Sequence, residues 1–282
     1  MRFTLKAKDH TVSGQEFEIY ECKNCSLRFT QNVADENGIS KYYQSEDYIS
    51  HSDTSKGFVN SLYHFVRQIT LKSKLSIITK YSGSKAGEIL DIGAGTGAFL
   101  NVMKSSGWNI TGVEPDETAR RNAFKNYQLN LLGNEQLFNF QLQSFDAITM
   151  WHVLEHVHKL NEYILQAKNL LKENGVLIIA VPNYTSYDAE VYQQNWAAYD
   201  VPRHLYHFSP ASMKELLKKH DLKLIKTLPM WFDSYYVSML SEKYKNNGKD
   251  NFMAALLTGF SSNFKAFFKK ELCSSVIYVI KK

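Results

Sequence analysis

The chain is short of the residues that break regular structure. It has 5 prolines and 14 glycines in 282 residues, below the usual shares of roughly 5% and 7%. That scarcity excludes collagen-like, low-complexity and linker-dominated classes. Three cysteines, two of them a close pair, are too few for a disulfide framework. The most apolar run, at residues 176–181, is far shorter than the roughly 20 residues of a membrane span. The opening MRFTLKAKDH has no apolar core of an export signal. No charge of one sign dominates. The net charge is +5, and the basic residues are scattered apart from Lys265, Lys269, Lys270 and the terminal Lys281-Lys282, so a nucleic-acid partner is not expected. These absences read as a soluble, reduced, cytoplasmic protein without a membrane span. Its apolar share of 44% suffices for a full core.

The glycines that are present are concentrated. Gly83, Gly87, Gly93, Gly95, Gly97, Gly107 and Gly112 are half of the total and lie within 30 residues of one another. Around them the hydrophobic pattern alternates between strand and helix. Strands are expected at 88–92, 108–114, 145–150, 175–181, 222–228 and 274–280. Helices are expected at 55–80, 97–106, 116–127, 153–172 and 209–220, with two helical patterns in 234–271. Such alternation predicts an α/β fold, a mostly parallel sheet with helices on both faces. Residues 1–50 read as a small separate β unit, and 51–282 as the main domain.

Residues 88–97 spell a strand, a glycine turn and a helix start, Glu88-Ile-Leu-Asp91-Ile-Gly93-Ala-Gly95-Thr-Gly97. In an open α/β sheet, ligands sit outside the C-terminal strand ends, and glycines let the backbone come close to them. Gly93, Gly95 and Ala98 meet the dinucleotide fingerprint, and Glu114 stands about 20 residues on, where that motif keeps its ribose acid. Asp91 points elsewhere. A carboxylate two residues before the first glycine suits a ligand with an ammonium group, such as S-adenosylmethionine, and repels a pyrophosphate.

Four stretches in this order resemble the class I S-adenosylmethionine-dependent methyltransferases. They are Asp91-Ile-Gly93-Ala-Gly95-Thr-Gly97, Gly112-Val-Glu114-Pro-Asp116, Ser144-Phe-Asp146-Ala-Ile-Thr-Met150-Trp-His152-Val-Leu-Glu155-His156, and Leu170-Leu-Lys-Glu-Asn-Gly175-Val-Leu-Ile-Ile. The resemblance implies a Rossmann-like sheet of seven strands, the last antiparallel and supplied by residues 274–280. It implies that Asp91, Gly93 and Gly95 meet the methionine end and Glu114 the ribose. Ala94, Pro115, Met150 and Tyr43 would complete the cofactor's surroundings. Asn134 or Glu135 would stand where the family contacts adenine. Tyr42, Tyr43 and Tyr48 would form a lid that excludes water from the transfer. S-adenosylhomocysteine would be the product.

His152, Glu155 and His156 are spaced i, i+3 and i+4, one face of a helix. Three readings stay open. A histidine (His152, His156 or His204) takes the proton of an acceptor hydroxyl; the trio holds a divalent ion with His204 or His207 as a further ligand; or the residues only pack. The segment Trp196…Pro202-Arg203-His204-Leu-Tyr-His207-Phe208-Ser209 resembles a bacterial methyltransferase subfamily, and Arg203 or His204 is expected to meet the acceptor. Cys22-x-x-Cys25 has half of a zinc ribbon's ligands, which His10 and His51 would have to complete. It reads as a knuckle that has lost its metal, so zinc and magnesium are not favoured. The aromatic insert at about 230–271 either walls an apolar acceptor pocket or forms a homodimer surface. The reading is methyl transfer to a small or medium-sized metabolite at a hydroxyl oxygen. The alternatives are C-methylation of a sugar or lipid-linked acceptor, a catalytically silent cofactor-binding protein, and a nicotinamide-dependent oxidoreductase.

Overall fold

The structure is a computed structural model and describes residues 1–36, 38–43 and 58–282, the side chains of 58–65 excepted. Tyr48 and His51 therefore lie outside the described residues. The opening strands β1 (Arg2–Lys8), β2 (Glu16–Glu21) and β3 (Arg28–Thr30) form an antiparallel sheet. A long helix, α1 (Phe58–Ser82), leads into β4 (Glu88–Ile92), α2 (Ala98–Ser105), β5 (Asn109–Val113) and α3 (Glu117–Tyr127). Then come β6 (Phe145–Trp151), α4 (Leu160–Leu170), β7 (Leu171–Pro182), the short α5 (Tyr187–Tyr192) and β8 (Tyr206–His207). The chain closes with α6 (Pro210–Lys219), β9 (Lys223–Pro229), α7 (Asp233–Lys245), α8 (Phe252–Phe268) and β10 (Ser275–Lys281).

The main sheet has the order β5-β4-β6-β7-β10-β9, with β5, β4, β6 and β7 parallel and β10 antiparallel to both its neighbours. Its inner strands β4, β6, β7 and β10 are largely buried on both faces, so period-2 alternation sorts their side chains between two cores. Leu90, Ile148, Ile179 and Tyr278 join one core with α4 and α6. Ile89, Ala147, Ile178 and Ile277 join the other with α1 and α2. No described helix is long and apolar enough to cross a membrane.

Three expectations need correction. The sheet has six strands among the described residues, not seven. Where the seventh would lie, Leu132 makes one parallel bridge to Val113, and then Gly133 and a 3-10 turn at Asn134–Asn139 lead the chain away. The opening residues are not a unit closed on itself either. β8 pairs with β3 through Arg28–His207 and Phe29–Tyr206, and Phe17, Ile19 and Tyr42 pack with Trp196, Tyr199 and Val201 in a third core. Lastly, the helix expected at 153–172 starts only at Leu160. His152 has a left-handed φ of 57°. The Glu155 carbonyl accepts from the Leu205 and Tyr206 amides at 2.8 and 3.2 Å, leaving no helical bond to make.

The insert is anchored by one carboxylate. Asp188 is fully buried and accepts from Trp196 Nε1 at 2.8 Å and from the Ser262 and Ser274 hydroxyls, each at 2.7 Å. This ties the segment after β7 to α8 and to the start of β10.

Candidate functional site

The C-terminal ends of β4, β5 and β6 meet at one edge of the sheet. The glycine turn after β4 has left-handed φ at Gly93, Gly95 and Gly97 (73°, 53° and 77°), a conformation that non-glycine residues adopt only at a cost. At Gly93 space is short as well, since a Cβ there would stand 2.4 Å from Val153 Cγ2. The Gly93 and Ala94 amides donate to the Val113 carbonyl at 2.8 and 3.1 Å, which presses the turn against the end of β5.

Glu114 stands just past β5 and is 8% exposed. Its carboxylate accepts from the Gly95 amide at 2.8 Å and the Asp116 amide at 3.0 Å. A carboxylate has about four lone-pair sites, so two remain for vicinal hydroxyls. Burial raises its pKa, against those two amide bonds. Asp91 is 2% exposed and accepts from the Thr149 hydroxyl at 2.6 Å. Burial pushes its carboxyl up to about 7, against that bond and the nearby Lys74. Pro115 is exposed beside Glu114 and Ala94 is buried within the turn. Met150, expected to line the cofactor, is instead fully buried in the core. Asn134 donates its amide to the Tyr163 hydroxyl, and Glu135 is exposed.

Lys74 and Asp233 escape the sequence reading. Lys74 Nζ lies 4.2 Å from the Trp151 ring centroid and 5.8 Å from that of Phe99. Burial lowers its pKa to about 8, while Asp91 and Asp233 oppose the fall. The signal for Lys74 is its register: it stands i+3 from Leu71 and i−4 from Ile78, both buried, so it lies on the apolar stripe of α1. Asp233 has no such signal, because the docking of α7 brings it to the site.

The expected histidines separate into two groups. His152 lies between Asp233 (Nε2 to Oδ2, 3.1 Å) and Glu155 (Nδ1 to Oε1, 3.4 Å), with its side chain 35% exposed. Burial disfavours its charge, but the two carboxylates overrule it and hold the imidazole protonated up to about pH 10. A ring that keeps its proton does not accept another at neutral pH, so the expected base at His152 is a cation instead. His156 and His204 stack edge to face with centroids 4.5 Å apart. The His156 Nδ1 lies 3.1 Å from the Arg203 carbonyl and 3.1 Å from the Tyr43 hydroxyl, and the His204 Nδ1 lies 2.8 Å from the Ala198 carbonyl. Carbonyls only accept, so both Nδ1 atoms carry hydrogen. Burial and His204 lower the His156 pKa to about 4. Tyr43 thus meets His156. Arg203, expected at the acceptor, is buried and bound to both Asp200 oxygens and to the Tyr42 carbonyl.

Glu155 is 1% exposed, and beyond its 3.4 Å ion pair with His152 its carboxylate oxygens make no hydrogen bond among the described residues. Glu155, His156 and His204 each bring a donor atom within 4.8 Å of the others, the one such group among the described residues. Backbone carbonyls fix both rings by Nδ1, the orientation that metal-ligating imidazoles need. Cys22 and Cys25 gather no third donor among the described residues, and His10 stacks on Tyr244, with ring centroids 4.2 Å apart.

A family model described as "Methyltransferase domain" matches residues 64–227. A ubiquinone biosynthesis O-methyltransferase of Rickettsia felis is 27% identical over 199 residues, which are 66% of this chain and 81% of that protein. The Haemophilus ducreyi enzyme of the same name is 29% identical over 196 residues, 64% and 82% of the two chains. The magnesium protoporphyrin IX methyltransferase of Synechocystis, solved with bound S-adenosylhomocysteine, superposes with a TM-score of 0.56 at 14% identity. It covers 88% of this chain and 100% of its own.

Proposed function

The chain belongs to the methyltransferase domain family as an S-adenosylmethionine-dependent enzyme of class I, and on that premise we propose that it methylates a hydroxyl oxygen of a small or medium-sized metabolite. The observation that carries the reading is the pair of buried carboxylates, Asp91 and Glu114, set around the glycine turn. Asp91 takes the ammonium of the methionine end, and Glu114 takes the ribose hydroxyls with its two unused lone-pair sites. Lys74 supplies a cation for the methionine carboxylate. The O-methyltransferase names of the Rickettsia and Haemophilus relatives support oxygen as the acceptor atom.

S-adenosylmethionine, when bound, would supply its methyl group to the acceptor oxygen, and the hydroxyl proton would pass to solvent water. Catalysis rests mainly on holding the two partners in line. His152, a cation at the end of β6, favours the ionised hydroxyl by stabilising its charge. The chain should bind S-adenosylhomocysteine and not NADH in calorimetry, and labelled S-adenosylmethionine should mark hydroxylated small molecules in an acceptor screen. Tight NADH binding without S-adenosylhomocysteine binding would overturn the reading.

A second reading concerns a divalent ion. The buried Glu155 carboxylate, held by His152 alone, and the two oriented imidazoles of His156 and His204 fit such an ion. The ion would polarise an acceptor oxygen. It competes with His152 for Glu155. Elemental analysis of the purified chain should find about one transition metal or zinc per molecule, lost in Glu155→Gln. A metal-free protein that takes up none on dialysis against zinc would leave Glu155 to His152 alone.

A further inference from the structure

α8 is built inside out. Its buried positions are Ala255, Gly259, Ser262 and Ala266, small residues at steps of four, three and four. They lie so close to α7 that a Cβ on Gly259 would stand 2.7 Å from Tyr235 Cδ1. The large apolar side chains point outward instead. Met253, Leu257, Phe260, Phe264 and Phe267 follow one another at steps of four and three, and are 56–72% exposed. Their neighbour Phe268, 74% exposed, packs against Phe264 and Phe267 at centroid distances of 5.2 and 5.5 Å. Trp231, Phe232, Tyr236 and Met239, at the start of and along the packed neighbour α7, are exposed as well. A surface helix of a globular protein turns its apolar stripe to the core. An exposed apolar face of this extent marks an interaction site.

Charge identifies the occupant. Lys243, Lys245 and Lys249 precede α8 in the chain and Lys269 and Lys270 follow it directly, and all are exposed. The acids beside them are Asp250 and Glu271, and Glu271 is paired with Lys214 at 3.1 Å. We propose that this face docks on an anionic lipid bilayer, with α8 lying in the plane of the interface. The phenyl rings enter the boundary between headgroups and acyl chains, and the lysines meet lipid phosphates. At 17 residues the helix lies on the membrane and does not cross it. A second copy of this chain fits less well, because a two-fold contact through α8 would set each basic rim in the neighbourhood of its own like. The face also adjoins the site. Asn263 of α8 donates to the Trp231 carbonyl at 2.7 Å, two residues before the Asp233 that holds His152.

The test is sedimentation of the full chain with vesicles of phosphatidylcholine, with and without phosphatidylglycerol. The chain should bind the anionic vesicles, and more weakly as salt rises. The triple variant Phe260→Ser, Phe264→Ser, Phe267→Ser should bind at least about a hundredfold more weakly. The double variant Lys269→Glu, Lys270→Glu should lose about tenfold or more on anionic vesicles only. All these side chains are exposed, so S-adenosylhomocysteine affinity should stay unchanged and report intact folding. Two results would overturn the proposal: no binding to anionic vesicles at low salt, or a dimer in light scattering that the serine variant dissolves while lipid binding is absent.

Discussion

Asp91→Asn should weaken S-adenosylhomocysteine binding by about 10- to 100-fold, the worth of a charge-assisted hydrogen bond to an ammonium group. The side chain is buried, so the loss is not masked by solvent. Titration distinguishes charge from shape. The Asp91 carboxyl is raised to about 7 and the Lys74 ammonium is lowered to about 8. Binding needs the first ionised and the second protonated. Affinity in the parent chain should therefore rise towards pH 7 by up to about tenfold per unit and fall again above 8. In Asp91→Asn the acidic limb should vanish and the basic limb should remain. Stability should move the other way. A carboxyl raised from 3.8 to about 7 in the folded chain stabilises it least above pH 7, where the buried charge must form. The variant should then melt higher than the parent in the absence of ligand. An unchanged affinity, or an acidic limb that persists in the variant, would take the ammonium away from Asp91.

His152→Gln should lower kcat/KM by about 10²- to 10³-fold with the acceptor found in the screen, the usual cost of removing one group aimed at a reacting oxygen. S-adenosylhomocysteine affinity should be unchanged, because His152 stands just past β6 and faces Asp233 and Glu155. Asp233→Asn keeps the imidazole but removes one of its two carboxylates, so its loss should be smaller. Equal rates for the parent and His152→Gln would place this cation off the reaction path.

The parts of this architecture that were legible are those written in neighbouring residues. The strand–turn–helix at 88–97 was readable because glycine spacing and strand alternation are local. The same holds for Glu114 just past β5. What could not be read depends on residues far apart in the chain. β8 has two residues, and its strand character comes from β3, about 180 positions earlier. The i, i+3, i+4 spacing of His152, Glu155 and His156 promised one helical face. The carbonyl of Glu155 is taken by residues 205 and 206, so the turn stays open and His152 departs towards α7. Asp233 enters by the same kind of distant docking. Lys74 was the exception: its place among Leu71, Leu75 and Ile78 could have marked it as a cation on a buried stripe.

β10 lies inside the main sheet, between β7 and β9, although it is the last strand in the sequence. A chain growing from its N-terminus must hold β7 and β9 apart, each with an open row of amides and carbonyls, until residues 275–281 arrive. Open strand edges are where chains pair with the wrong neighbour. Completion of this fold therefore depends on residues 275–281, and any product that stops before Ser275 carries two sticky edges next to an apolar core. Quality control that recognises exposed strands would find its target in such fragments.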